Sequence, residues 1–228
     1  MSVKRLAVIV GAATKYADTE NKEFSPIHAT WGLGGGLSIK FAQEGYHAVL
    51  LGRRKELLDD VVGEITKRGF EATAFACDVG DDKSVTDCFT AIKKLGNIEV
   101  LVYNVGGPFP PGRNFPDLPL PHGNVSLSFS LSYNNCTYHD LYILFDSELE
   151  AAQVANCMNI AYVGFVRCIP LVVPEMLERK SGTILISNAT MGLRGGKSFS
   201  CMAPAKAALR SLGQRSHLTY NIVIALLI

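Results

Sequence analysis

The sequence lacks an excess of charge of either sign. Its 22 lysines and arginines are balanced by 21 aspartates and glutamates, which leaves a formal net charge of +1. Proteins that bind nucleic acid or an anionic membrane surface usually present a basic field to these partners. The near balance of charge therefore argues against nucleic acid and against an anionic membrane as partners.

Long apolar runs and targeting signals are lacking as well. No uninterrupted apolar run approaches the roughly 18 residues that span a membrane. The first residues, MSVKRLAVIVGAA, pass from an apolar run straight into a glycine turn with no clear cleavage site. They predict a first strand rather than a signal peptide. We therefore expect a cytoplasmic protein with no membrane partner.

The six cysteines lack the spacing of a metal site. They form no CxxC pair and no cysteine–histidine ligand pattern, which argues against structural zinc and leaves no metal expected. In a chain without a secretion signal, scattered cysteines are most simply reduced and buried. The six are Cys77, Cys88, Cys136, Cys157, Cys168 and Cys201.

What the sequence does contain is an alternation of apolar runs with helical patterns. With 228 residues, 48% of them hydrophobic, it is long enough for one sizeable core. Continuous apolar strands that alternate with helices are typical of a parallel sheet covered on both faces, so we expect a single doubly wound α/β domain over residues 1–228. The predicted strands are Leu6–Val10, His47–Leu51, Ala72–Cys77, Val100–Tyr103 and Thr183–Ser187, with a sixth within Asn221–Ile228. The predicted helices are Leu33–Glu44, Glu56–Arg68, Val85–Leu95 and Glu148–Arg179.

Two stretches break the alternation. Thr14–Thr30 is polar and aperiodic, and Pro121–Phe145 is rich in serine and aromatic residues without a helical period. Loops of this length are uncommon inside a compact domain, so they are either functional lids or insertions tolerated at the surface. We favour insertions at 14–30 and 121–145, and we expect Thr14–Thr30 to be exposed and protease-sensitive.

Glycines lie between the first predicted strand and the first predicted helix. Gly11 ends the strand, and Gly32 and Gly34 precede the helix. Glycines at such a turn let the backbone approach a pyrophosphate, whose charge then lies at a helix N-terminus. With Thr14–Thr30 set aside, the sequence reads VIVGAA and then WGLGGGLSIKFAQEGYHAVLLGRR. It resembles the short-chain dehydrogenase/reductase family, whose nucleotide turn reads TGxxxGxG. The resemblance implies a Rossmann-type fold and a nicotinamide dinucleotide as cofactor, and the interruption between Gly11 and Gly32 departs from the family.

Two arginines follow the second predicted strand. An acidic side chain at this place would accept hydrogen bonds from the ribose 2′-hydroxyl of NAD, whereas arginine suits the 2′-phosphate of NADP. Arg53 and Arg54 occupy the position. They are either two solvated arginines at a helix start or the phosphate partners, and we expect NADP, with NAD less favoured.

Three further segments match family motifs in the same order along the chain. Asp78 and Val79 correspond to a pair at the adenine, although an aspartate here could equally cap the next helix. Asn104 and Gly106 match two positions of an NNAG motif beside the cofactor. Asn159 resembles an asparagine that supports a proton-relay water, although a mid-helix asparagine otherwise tends to face solvent.

The catalytic segment departs furthest from the family. The family pattern is a serine that polarises the substrate oxygen, then YxxxK, in which the tyrosine transfers the proton and the lysine lowers its pKa and holds the ribose. Lys206 matches the lysine, but the tyrosine position is Met202 and the serine position is Ala189. Ser187, on the same strand face, or Thr190 could stand in for the serine.

Two functions are therefore open. The first is an NADP-dependent oxidoreductase of a small carbonyl or alcohol substrate, impaired here, with Lys206, Asn159 and Ser187 as its surviving catalytic positions. The second is a catalytically inactive nucleotide-binding or scaffold protein, or the product of an imperfect gene model. The family's domain continues beyond the sixth strand with a substrate lid, so we expect an incomplete C-terminal edge and a resemblance over residues 4 to about 215. A homo-oligomer is compatible with both functions.

Overall fold

The computed structural model of this chain describes residues 3–12, 28–106, 132–133, 136–137, 150–194, 199–219 and 223–227. The two expected insertions, at 14–30 and 121–145, lie largely outside these ranges. Their exposure and their protease sensitivity therefore stay predictions. Inside the ranges, residues 28–30 already belong to the first helix.

The main sheet is parallel and has six strands. The strands of the described residues are β1 (Arg5–Val10), β2 (His47–Gly52), β3 (Ala72–Ala76), β4 (Asn97–Tyr103), β5 (Ser132–Tyr133), β6 (Cys136–Thr137), β7 (Thr183–Ser187) and β8 (Val223–Leu227). The sheet order is β3–β2–β1–β4–β7–β8, and β5 and β6 form a separate antiparallel pair. The chain winds outward from β1 in one direction and from β4 in the other. The doubly wound parallel fold predicted from the apolar runs is confirmed, the sixth strand included.

Helices cover both faces of this sheet. They are α1 (His28–Gln43), α2 (Lys55–Lys67), α3 (Asp82–Lys93), α4 (Ala151–Met158), α5 (Gly164–Arg179) and α6 (Met202–Thr219). A π-helical turn, Asn159–Val163, joins α4 to α5, and a 3₁₀ turn, Thr190–Gly192, precedes α6. The predicted long helix 148–179 is therefore a pair of helices with a π turn between them, a feature that apolar periodicity does not reveal.

The core lies in two layers on either side of the sheet, and β1 shows why. Its alternate residues Leu6 and Val8 belong to one buried cluster with side chains of α3 and α5, and Ala7 and Ile9 belong to a second cluster with side chains of α1 and α2. Successive side chains of a strand point to opposite faces. A strand buried on both faces must therefore be apolar without interruption, as the sequence LAVIV is.

The helical stretch 151–179 is long and apolar enough, by length and composition alone, to cross a membrane. This differs from the expectation that no such segment exists. Its side chains Phe165, Cys168, Val172 and Met176 lie in the core against the sheet. Because a core helix between a sheet and solvent has the same length and composition, the apolar character is accounted for by packing within the domain.

Candidate functional site

The carboxyl ends of β1 and β4 meet at the point where the strand order reverses. Open α/β sheets bind their ligands in the crevice outside such a point. Gly11 follows β1 with a φ of +84°, and a Cβ there would lie 2.5 Å from the backbone oxygen of Asn104. The Gly11 backbone NH donates to the Leu51 oxygen at 2.9 Å. Only glycine fits at position 11, on grounds of both backbone angle and space.

Gly34 comes into contact with Gly11 despite the long interval of sequence between them. A Cβ at Gly34 would lie 2.3 Å from the Gly11 oxygen and 2.9 Å from Nδ2 of Asn104. Asn104 in turn donates from Nδ2 to the Gly11 oxygen at 3.0 Å. We call Gly11, Gly34 and Asn104 the glycine cradle. It brings together three of the predicted cofactor-binding residues.

Gly32 provides the turn that opens the second half of α1. Its φ of 61° and ψ of −175° interrupt the helix. The helical segment that contacts β1 therefore starts after Gly32, and its first backbone NH groups have no partner within the helix. Helix N-termini of this kind bind phosphate groups. The residues between Gly11 and Gly32 thus leave the close approach of this helix to β1 intact.

The arginines, Asp78 and Gly106 lie at the same edge of the sheet. Arg53 and Arg54 follow β2 and are exposed. Gly106 follows β4, and a Cβ there would meet no atom within 4 Å. Space therefore does not require glycine at position 106, in contrast to position 11.

The local contacts of Asp78 rule out one of its two interpretations. Its Oδ1 accepts from the Gly80 NH at 2.8 Å, whereas the cap of α3 is Asp81, which accepts from the Ser84 NH at 2.6 Å. The expectation that Asp78 might cap the helix is therefore wrong. Asp78 is exposed, and the adjacent Val79 is buried.

Lys206 lies buried at the carboxyl ends of β4 and β7. Its Nζ donates to the Val105 oxygen at 3.1 Å and to the Ser187 oxygen at 3.0 Å. Only 5% of the residue is exposed. Burial lowers the pKa of this amine to about 8. Ser187 thus contributes its backbone oxygen to the lysine.

Met202 stands at the position expected for the tyrosine of the family pattern. It is the first residue of α6, one helical turn before Lys206, and it is buried. Residues four apart share a helix face, so Met202 and Lys206 form what we call the α6 face. Ala189, at the expected serine position, directly precedes the 3₁₀ turn and is half-buried. Neither Met202 nor Ala189 offers a proton or a hydroxyl, and Pro204 is accommodated in the first turn of α6.

Asn159 is engaged on the α3 side of the molecule. Its Nδ2 donates to the Gly80 oxygen at 3.3 Å, and its Oδ1 accepts from Arg167 Nη1 at 2.9 Å. The residue is half-buried, so the expectation that a mid-helix asparagine faces solvent is wrong. Among the described contacts none joins the Asn159 side chain to Lys206, so the predicted catalytic pair Asn159 and Lys206 is not directly linked.

Asn188 is a site residue that the sequence reasoning missed. Its Nδ2 donates to the Lys206 backbone oxygen at 3.0 Å, and its Oδ1 accepts from the Ala189 NH at 2.8 Å. A Cβ at Gly192 would lie 2.3 Å from that Oδ1. Asn188 therefore ties the end of β7 to α6 beside the lysine. A polar residue directly after a buried strand was the available signal.

Tyr103 is the tyrosine that ends β4, directly before Asn104. Its hydroxyl donates to the Ile160 oxygen in the π turn at 2.5 Å, and its ring packs against Phe165 with 5.3 Å between centroids. Burial raises its pKa well above the ordinary value. Tyr103 therefore satisfies a carbonyl of the π turn, and it does not supply the proton that Met202 lacks.

Comparison with known proteins places this geometry in a family context. A family model described as short chain dehydrogenase matches residues 27–125 and 133–222. Very-long-chain 3-oxoacyl-CoA reductase of Anas platyrhynchos is 28% identical over 194 residues, covering 85% of this chain and 53% of the relative. Fatty acyl-CoA reductase of Acinetobacter baylyi is 24% identical over 182 residues, covering 79% of this chain and 51% of the relative. The chain spans about half the length of these curated relatives.

A solved structure shows the same fold. The crystal structure of a metagenomic short-chain oxidoreductase in complex with NADP superposes with a TM-score of 0.70 at 19% identity, covering 97% of this chain and 80% of that chain. At this identity the likeness concerns the fold, including the parallel sheet and the helices that carry the glycine cradle and the α6 face.

Proposed function

The chain belongs to the short chain dehydrogenase family, and from this premise we propose that it binds NADP and is an oxidoreductase of carbonyl or alcohol substrates with strongly impaired turnover. Members of the family use NAD or NADP and act on small molecules. The glycine cradle is the observation that carries the proposal. A side chain at Gly11 or Gly34 would fill the space in which β1, α1 and β4 converge.

The residues at the sheet edge fit a dinucleotide in kind and in order. The backbone after Gly32 suits the pyrophosphate, and Arg53 and Arg54 suit a 2′-phosphate. Asp78 and Val79 would contact the adenine, Asn104 and Gly106 the region next to the nicotinamide, and Lys206 the ribose. A bound nicotinamide dinucleotide supplies or accepts the hydride of the reaction.

The chain's own contribution to proton transfer is where it falls short. Reduction of a carbonyl leaves an oxygen that must be protonated, and a positioned general acid contributes about 10²–10⁴-fold. Met202 has no exchangeable proton, and Ala189 has no hydroxyl to polarise the oxygen. The Lys206 amine donates to two backbone oxygens. This arrangement favours binding of the cofactor over the proton-transfer step.

The curated relatives give the substrate panel its first members. Both are reductases of acyl-CoA compounds by name, so a 3-oxoacyl thioester and an acyl-CoA should be assayed beside simple aldehydes and ketones. The second candidate function is an inactive nucleotide-binding protein. The apolar pair of Met202 and Ala189 favours it, because both proton-handling positions are apolar at once.

Cofactor binding is tested by titrating the full chain with NADPH and NADH, following the quenching of tryptophan fluorescence or the heat of binding. We expect NADPH to bind more tightly than NADH. Equal affinities would remove the NADP preference, and failure of both cofactors to bind would overturn the cofactor assignment as a whole. Turnover of the acyl-CoA and carbonyl panel by the same preparation separates an impaired enzyme from an inactive binding protein.

A further inference from the structure

A pair of thiols lies beside the α6 face without belonging to it. Cys201 is in the turn just before α6, adjacent to Met202, and it is partly exposed. Its Sγ lies 3.7 Å from Oε1 of Gln153 on α4. Cys157 is four residues after Gln153, so it lies one helical turn along the same face of α4. The turn before α6 therefore packs with its thiol against the side of α4 that carries Cys157.

The Cys201 thiol lies close enough to the Cys157 thiol to affect its pKa. Burial, and then the electrostatic effect and hydrogen bond of the adjacent Cys201 thiol, raise the pKa of the Cys157 thiol above its usual value. Cys157 is 1% exposed, so one member of the pair is sheltered while the other meets solvent. This arrangement suits disulfide exchange, in which an accessible thiol reacts first and a neighbouring thiol then resolves the mixed disulfide.

The other described thiols differ in accessibility. Cys77 and Cys88 also affect each other's pKa, but both are buried, and Sγ of Cys88 donates to the Ala76 oxygen at 3.1 Å. Cys168 lies in the core. Among the cysteines whose side chains the structure describes, Cys201 alone is partly exposed.

We propose that Cys157 and Cys201 form a reversible disulfide under attack by a low-molecular-weight disulfide, and so make a redox site at the edge of the α6 face. The thiolate of Cys201 attacks one sulfur of the small disulfide, a mixed disulfide forms, and one small thiolate leaves. The Cys157 thiolate then attacks the Cys201 sulfur, and the second small thiolate leaves. The two protein thiols are oxidised, the small disulfide is reduced to two thiols, and two protons are distributed among the thiolates and solvent.

The bond would add a covalent link between two elements that the Cys201–Gln153 hydrogen bond already joins. Cys157 is in the last turn of α4, before the π turn, and Cys201 is one residue before Met202. The disulfide would therefore fix the start of α6 against α4. In the reduced protein the turn is held by backbone hydrogen bonds from the NH groups of Met202 and Ala203 to the Phe199 oxygen.

The proposal is tested on the full chain by incubating it with glutathione disulfide, blocking free thiols with N-ethylmaleimide, and mapping peptides by mass spectrometry. Trypsin releases Cys201 in the peptide Ser198–Lys206, and a glutamate-specific protease cutting at Glu148 and Glu150 separates Cys157 from Cys136. We expect a linked Cys157–Cys201 peptide in most molecules and the loss of two alkylatable thiols per chain. Dithiothreitol should restore both thiols.

Matched variants decide the assignment. Cys201→Ser should abolish the linked peptide, and Cys136→Ser should leave it unchanged. Glutathione retained on Cys201 while Cys157 stays alkylatable would overturn the proposal, and so would a link from Cys201 to any other cysteine. Both overturning results are read from the wild-type peptide map, so the test does not depend on the folding of either variant.

Discussion

The glycine cradle and the α6 face lie at the same edge of one sheet, yet they match the family's sequence pattern to different degrees. At the cradle, both glycines are required by the space available, because a Cβ at Gly11 or Gly34 would lie within 2.5 Å of a backbone oxygen. At the α6 face, Lys206 is held by two carbonyl oxygens, but Met202 stands where the family pattern has its tyrosine. On the proposed function, the geometry for binding a dinucleotide is therefore separable from the groups that complete its chemistry.

The largest effect that would sharpen this comparison comes from restoring a phenol at position 202. We expect Met202→Tyr to raise turnover with NADPH about 10²–10⁴-fold over Met202→Phe, because the two variants differ only in the acidic hydroxyl. The affinity for NADPH should change little in either variant. Steady-state rates on the acyl-CoA and carbonyl panel check the prediction, and equal rates for the two variants would show that the missing proton donor does not limit this chain.

A second prediction separates two effects on stability at the cradle, the left-handed backbone angle and the close packing of the chain. Gly11 and Gly45 share a φ of +84°, but a Cβ at Gly45 would meet no atom within 4 Å. Gly45→Ala should lower the free energy of unfolding by about 1–2 kcal/mol from the left-handed backbone alone. Gly11→Ala should cost about 3 kcal/mol or more, because overpacking adds to the same strain. Urea denaturation of the two variants measures the gap, and equal losses would contradict the close approach of β1 and β4.

The third prediction concerns the cofactor side of the comparison. Arg53→Ala should weaken NADPH binding by roughly 10–150-fold, equivalent to about 1.5–3 kcal/mol, because a charge-assisted hydrogen bond to the 2′-phosphate is lost. NADH binding should be unaffected. Lys55→Ala is the matched control. It removes a positive charge nearby, but the Lys55 amine pairs with Asp59 at 2.6 Å. Isothermal titration calorimetry with both cofactors provides the measurement. An equal loss of NADPH affinity in the two variants would show that only the positive charge of the region matters.

The smallest predicted effect tests the burial of the lysine. The pKa of Lys206 is about 8 in the folded protein against 10.5 for the unperturbed amine. Between these values the unfolded chain binds more protons than the folded one, so this group makes stability rise with pH. The unfolding free energy of the wild type minus that of Lys206→Met should increase by about 2 kcal/mol from pH 8 to pH 10. The exposed Lys94→Met serves as control, and a flat difference for Lys206→Met would mean that its amine is solvated.

Much of the fold follows from local pattern. A strand buried on both faces must be apolar throughout, so LAVIV was recognisable as β1, and the glycines after β1 marked the turn. The sequence did not reveal that Gly34 would touch Gly11 across the intervening residues, because that contact depends on where α1 packs against the sheet.

The site was less predictable because its side chains act through distant backbone groups. Asn188 binds the carbonyl of Lys206, and Asn159 binds Gly80 and Arg167. No periodicity encodes such partners. The π turn at Asn159–Val163 was not predicted for a related reason. Its Ile160 carbonyl accepts a hydrogen bond from Tyr103, which lies on a strand far away in sequence.

The central claim is that the wild-type chain binds NADPH but fails to use it, and single-turnover kinetics test it most directly. The protein is saturated with NADPH, as judged by its own titration, and mixed with each member of the acyl-CoA and carbonyl panel while NADPH absorbance is followed. The account predicts a measurable NADPH dissociation constant together with oxidation at least about 10²-fold slower than the roughly 1–10³ per second of ordinary enzymes. Oxidation of bound NADPH within that ordinary range by any member of the panel would contradict it.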